Sequence, residues 1–287
     1  MYDYGNEDKA MRLTLLATLY FVTSCSIAVC QENNTAVTDS SKNDFSYVSS
    51  LMDGNVFEYT RLSNMLLIYD RVAWISTDSL MTEPMEVLSK IGAEWFCYQK
   101  GKTWYAVYGK YENNRYNPVL HYFLDTMNYS IKKINNIEYD TLLFTSYARS
   151  INKSRIEMFI DSAKSYISYN HYVFQDSLNH INVIILPAFQ RDSKAVFGSE
   201  YWYIFNSNGD RIIEKKVYNG KLKYYLPDKT KSITLDFTEL ETPPFCAIFY
   251  VLYYKNYFKE IIIDTKNMIH QFMDGFFISI VKDRGKE

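Results

Sequence analysis

Two Asn-Gly pairs, Asn208-Gly209 and Asn219-Gly220, stand in one stretch of aromatic and β-branched residues running from Glu200 to Leu226. Asn-Gly suits the central positions of a type I′ turn, where both residues need positive φ and the twist matches that of antiparallel strands. The stretch therefore predicts a three-stranded meander over residues 201–206, 211–218 and 221–226. A chain so punctuated builds antiparallel sheet.

Composition agrees. The chain has 287 residues, 27 of them Tyr and 18 Phe, with 4 Trp, against 10 Gly and 6 Pro. Aromatic side chains fit pleated, half-buried surfaces. At 47% hydrophobic the chain can bury a sizeable core. A net charge of −2 argues against a nucleic-acid binder, whose affinity rests on neutralising phosphates with excess Lys and Arg.

Residues 1–30 have the form of a secretory signal. Arg12 precedes the apolar run Leu13, Leu15, Leu16, Ala17, Leu19, Tyr20, Phe21 and Val22, and small residues lead to Gln31. Asp3, Glu7 and Asp8 are unusual ahead of such a run, so Met11 is a candidate initiator. Thr23, Ser24 and Ser26 interrupt it, whereas a membrane helix needs roughly 20 continuous apolar residues. Two exits compete: cleavage after Ala28-Val29-Cys30, and a bacterial lipobox, Val22-Thr23-Ser24-Cys25, that would leave Cys25 lipidated. The first is favoured, because the apolar Ile27, Ala28 and Val29 make a poor tether. Membrane contact is then expected only through Cys25 or an uncleaved signal. Residues 31–46 are polar and read as a flexible lead.

Residues 47–287 read as one α+β globular region, in two lobes if the helices near 141–168 divide it. Leu62, Met65, Leu66 and Tyr69 have helical spacing, and residues 71–76 look like a strand. Glu83-Pro84 opens a short helix to Ile91. Residues 95–99 and 103–111 flank the turn Lys100-Gly101-Lys102, with further strands over 119–124 and 129–134. A helix over 141–151 precedes a second, for which Ser154 and Glu157 form a capping box and Ile156, Phe159 and Ile160 an apolar face. Strands follow over 172–175 and 181–186, then the meander. Pro243-Pro244 starts a helix over 245–254 that is apolar nearly all round, 260–264 and 268–273 make a closing hairpin, and 276–281 is expected to add an edge strand. The expected class is α+β: mainly antiparallel sheet with hairpins and a meander, packed by a few helices.

No G-x-S-x-G, H-E-x-x-H, P-loop or G-x-G-x-x-G occurs. His121, His171, His180 and His270 lack metal-ligand spacing, so neither a metal nor a cofactor is expected. Cys97 and Cys246 are candidates for a disulfide in an oxidising compartment, or are simply buried thiols. Three constellations suggest a site. Trp95, Trp104, Tyr105, Tyr108 and Tyr111 would stack sugar rings or peptide if they shared an exposed face. Lys215, Lys216, Lys221, Lys223, Lys229 and Lys231 interleave with Tyr218, Tyr224 and Tyr225 and would hold an anionic group, or else guard a sheet edge. Asp70, Asp78, Glu94, Glu112 and Glu200 lie near strand ends, where two carboxylates could face each other as in a glycosidase. The residues expected to touch a ligand are Trp95, Trp104, Tyr108, Lys221, Lys223 and Tyr225.

The start at Gln31-Glu32, the bias to Asn, Lys, Ile and Tyr, and the aromatic hairpins around Asn-Gly resemble the uncharacterised exported proteins of Bacteroidota. That resemblance is one of composition and carries no catalytic residue. It implies a periplasmic or secreted location, or a tethered lipoprotein. The function expected is non-catalytic binding of a glycan, peptide or envelope component. The alternatives are a glycan hydrolase using a carboxylate pair and a structural envelope lipoprotein.

Overall fold

The computed structural model describes residues 54–125, 130–135, 139–161, 167–190, 193–218, 222–273 and 275–282. The signal segment, Cys25 and the polar lead lie outside them, as does Lys221. In chain order come helices α1 (Gly54–Leu80) and α2 (Met85–Leu88), strands β1 (Trp95–Lys100), β2 (Thr103–Glu112), β3 (Arg115–Asp125) and β4 (Ser130–Lys133), and helix α3 (Thr141–Asp161). Strands β5 (Tyr169–Gln175), β6 (Ile181–Pro187), β7 (Ala195–Phe197), β8 (Glu200–Phe205), β9 (Ile212–Tyr218), β10 (Lys223–Tyr225) and β11 (Asp228–Phe237) follow. Helix α4 (Phe245–Tyr254) then leads to β12 (Phe258–Thr265), β13 (Met268–Met273) and β14 (Phe276–Val281). The fold is α+β with mostly antiparallel sheets.

Two compact units divide the described chain. The first takes Ile68–Arg191 and Gly198–Leu222; the second takes residues 54–67, Asp192–Phe197 and Lys223 onward. Helix α3 lies inside the first unit.

In the first unit, β1-β2-β3-β4 form an antiparallel meander and β5-β6-β8-β9 a second antiparallel sheet. The β2–β3 turn is Asn113-Asn114, with both residues at positive φ. This is the type I′ requirement met by Asn-Asn, and it starts β3 four residues before the expected strand. The expected strand at 71–76 is instead the last part of α1. Buried Tyr69, Val72, Ala73, Ser76, Thr77 and Leu80 carry the helical spacing through it. Ser76 and Thr77 occupy the buried face and obscure its apolar period. Their hydroxyls bond the Ala73 carbonyl and sit 2.7 and 3.0 Å from the Tyr108 hydroxyl.

The two helices expected over 141–168 are one through Asp161. Asp140 caps it, accepting from the Leu143 N–H at 2.9 Å. Ser154 is buried within the helix rather than at its start, while Ile156 and Phe159 are exposed. The buried phase is set by Phe144, Tyr147, Ala148 and Ile151.

The expected meander keeps only its first hairpin. At the β8–β9 connection Gly209 N–H bonds the Asn206 carbonyl, and Gly209 alone of the Asn-Gly pair has positive φ. This is a type I turn followed by a left-handed glycine. Asn219-Gly220 lies outside the described residues, and β10 pairs with β7 rather than β9.

In the second unit, β11-β12-β13-β14 form one sheet and β10-β7 another. β11 and β12 are parallel, joined through α4 as a βαβ crossover. As its all-round apolarity requires, α4 is buried from Phe245 to Leu252. Phe197 packs on Phe237 and Tyr250, and Tyr59 on Phe245.

Candidate functional site

The tryptophan hairpin is core. Trp95, Trp104 and Tyr108 are 8%, 5% and 2% exposed. Tyr69 from α1 meets the Trp95 and Trp104 rings at 6.5 and 6.2 Å, and Trp95 stacks on Tyr108. The face that alternation gives these three is therefore the one α1 covers, and it offers no platform to a ligand. Half-buried rings lie on the opposite face, where Tyr98 stacks on Tyr105 at 4.9 Å.

The basic and aromatic series is split. Lys215 and Lys216 project over the Tyr203 and Trp202 rings of the first unit, at 5.7 and 4.9 Å. Lys223 and Tyr225 are half-buried on β10 in the second unit. The Tyr225 ring packs against Tyr250 and Phe258, which makes it an anchor for β10. Neither Cys97 nor Cys246 is in a disulfide. Each is buried in a different unit, and burial holds the Cys97 thiol well above its usual range, so it is an inert small hydrophobe.

Among the carboxylates, Glu112 pairs with Lys110 at 2.8 Å and Glu94 accepts from the Tyr111 N–H. Glu200 differs. It is 3% exposed, and burial pushes its carboxyl up to about 8 although the Gly198 N–H donates to Oε1 at 2.5 Å. Its Oε2 has no hydrogen-bond partner among the described residues. Glu200 is thus a neutral acid at pH 7. Asp70 Oδ1 accepts from Asn170 Nδ2 and the Tyr172 hydroxyl, both at 3.1 Å. Asn170 pairs with Leu186, and Leu186 follows the Ile185–Tyr201 pair by one residue, so Asn170 and Glu200 share a row of the sheet. They are two strand spacings apart, about 10 Å. Among the described residues no group of three or more His, Cys, Asp or Glu is placed to hold a metal, and no helix is long and apolar enough to cross a membrane.

The outer edge of β14, expected from the sequence as an edge strand, is a surface that the sequence reading did not count among its candidate sites. Strand edges offer unpaired N–H and C=O groups, and folded proteins usually guard them with charge or irregularity. β4 carries Lys132 and Lys133, and β9 carries Glu214, Lys215 and Lys216. β11, at the far side of the β14 sheet, carries Asp228, Lys229, Lys231 and Asp236 and a break in register between Asp228 and Ser232. From Phe276 to Val281, β14 carries no charge at all. Ile278, Ile280 and Val281 are 45%, 48% and 72% exposed, and Met273 beside them on β13 is 48% exposed.

The backbone direction of this edge follows from its register. Met273 pairs with Phe276 around the turn, and the Lys282 N–H donates to the Asn267 carbonyl at 2.9 Å. The even-numbered residues of β14 therefore turn their backbone groups toward β13, and those of Phe277, Ser279 and Val281 turn outward. The strand is held from behind. His270 and Ser279 are opposite one another, with the Ser279 hydroxyl 2.7 Å from His270 Nδ1. His270 Nε2 lies 3.2 Å from Thr265 Oγ1, which itself donates to the Met268 carbonyl. Lys282 closes the end, donating to the Thr265 carbonyl and pairing with Asp264.

Comparison of the chain with family models, curated proteins and solved structures finds no match.

Proposed function

We propose that this is an exported, non-catalytic binding protein that recognises an extended peptide segment by adding it to the β14 edge. The observation that carries the reading is the contrast within one sheet: β11 is charged and irregular, whereas β14 is apolar, regular and exposed along Ile278, Ile280 and Val281. In strand addition the main chain supplies affinity and alternate side chains supply specificity. An outward Phe277, Ser279 and Val281 backbone and an apolar face of Ile278 and Ile280 are suited to both. Export rests on the signal-like residues 1–30. The mature protein then starts at Gln31 in the periplasm or outside the cell, or at a lipidated Cys25 on a membrane.

A photo-crosslinking residue at Val281 tests the reading, with one at Lys231 on β11 as control. In the native host, adducts should form from position 281 and not from 231. Equal labelling at both positions, or none at 281, would sink the proposal. The intact mass of the mature chain decides between Gln31 and Cys25 as its start.

A glycan hydrolase is the second reading. What favours it is the neutral acid Glu200 on the same sheet row as Asn170, which holds Asp70. Two carboxyl groups with different environments suit acid and base roles. Glycan turnover abolished by Glu200→Gln would establish it over strand binding.

A further inference from the structure

We infer that the segment occupying the β14 edge is β14 of a second copy of this chain, antiparallel to the first and related to it by a two-fold axis at Ser279. The inference rests on the strand-addition reading above and names its partner.

Three features single out a self-pairing. The first is parity. Ladder hydrogen bonds join outward-turned groups to outward-turned groups, and a two-fold axis at Ser279 places Ser279 opposite itself and Phe277 opposite Val281. All three residues are of the outward set. An axis at Ile278 or Ile280 would bring together groups already bonded to β13.

The second feature is the sequence. Phe277-Ile278-Ser279-Ile280-Val281 is palindromic in character about Ser279. In the register above, Ile278 of one copy lies opposite Ile280 of the other, twice. These are non-hydrogen-bonded positions of the new ladder, where side chains approach closest. Exposed Ile278 and Ile280 would bury each other, and Met273 extends the same apolar face.

The third is charge. No residue between Phe276 and Val281 is charged, so self-association brings no like charges together, and Lys282 is already engaged by Asp264 and the Thr265 carbonyl. A C2 interface must be self-complementary, and this strand is.

The test uses the full mature chain. Sedimentation across micromolar concentrations should show a reversible dimer, and amides of residues 276–282 should exchange more slowly as concentration rises. Two double variants then probe the register: Ile278→Lys with Ile280→Lys, and Ile278→Glu with Ile280→Glu. Each replaces exposed side chains, so each should keep the parent Tm when both are measured at concentrations where the parent is monomeric. Each alone should be monomeric, because position 278 of one copy meets the like charge at 280 of the other. An equimolar mixture should restore a one-to-one heterodimer. A monomer at every concentration, a dimer persisting in either variant alone, or a mixture that stays monomeric would overturn the proposal. If the chain is monomeric and Val281 crosslinks to a different polypeptide, self-pairing fails while strand addition survives. If Val281 crosslinks to nothing, both fail.

Discussion

His270 and Ser279 face each other across β13 and β14, and the direction of the proton between them is determined by a third residue. Thr265 Oγ1 donates to the Met268 carbonyl, so toward His270 Nε2 it can only accept. In the neutral ring, then, Nε2 carries the proton and Nδ1 accepts from the Ser279 hydroxyl. Replacing Ser279 with Ala leaves a buried ring nitrogen without its donor. It should lower stability by about 1–2 kcal/mol, read as a shift of the urea midpoint with unchanged slope. An unaltered midpoint would mean the pair contributes nothing.

Stability should fall as pH rises across the range where Glu200 titrates. Burial raises its carboxyl to about 8 in the fold, from an ordinary 4.5. The fold therefore holds more protons than the unfolded chain between those values, and the stability present below 4.5 is lost as pH rises through 8. Over pH 5 to 8 this amounts to about 3–4 kcal/mol. Glu200→Gln should remove the slope, which denaturant titration at several pH values would show.

His171 works in the opposite direction. Burial lowers it to about 4 from 6.5, although the Trp95 carbonyl lies 2.8 Å from Nε2. Its contribution is complete above 6.5 and lost as pH falls through 4. In a Glu200→Gln background the acid limb is shared with His121, which burial also lowers to about 4, and His171→Gln should make it shallower by about 3 kcal/mol. An acid limb of the same depth in both proteins would assign it elsewhere.

The two hairpin glycines should respond unequally to alanine. Gly101 and Gly209 both have positive φ, but a Cβ on Gly101 meets nothing within 4 Å. On Gly209 it would stand 2.3 Å from the Ser146 carbonyl oxygen and 2.4 Å from Ser150 Oγ. Gly101→Ala should cost about 1 kcal/mol, and Gly209→Ala about 3 kcal/mol or more. The β8–β9 tip is docked on α3, where Arg149 donates to the Asn208 carbonyl and Lys153 to that of Asp210. Thermal unfolding of the two variants side by side measures the difference, and equal losses would contradict the docking.

Trp104 should behave as a core residue. Trp104→Ala is expected to cost about 3–5 kcal/mol, whereas a ligand-stacking tryptophan would be removed with little change in Tm. Tyr108→Phe takes away the hydroxyl held by Ser76 and Thr77 and should cost about 1–2 kcal/mol.

What the sequence determined by itself was local. Prolines before Phe245, alternation along 95–111 and glycine at 101 and 209 act through backbone sterics and short-range periodicity, and the α+β class follows from them. The edge β14 was legible as a strand from its short run of aromatic and β-branched residues. Its place at a sheet edge was expected too, but how far Ile278, Ile280 and Val281 stand exposed was not. Partnership and exposure were left to tertiary structure. Residues 71–76 belong to α1, whose buried Ser76 and Thr77 hydroxyls bond the Ala73 carbonyl and contact Tyr108, a residue more than thirty positions along the chain. β10 left β9 for β7 because pairing depends on which edge the fold brings near. The tryptophan hairpin became core because α1 supplied Tyr69 to cover that face. Alternation divides a sheet into two faces, and only the packing of distant segments decides which of them meets water.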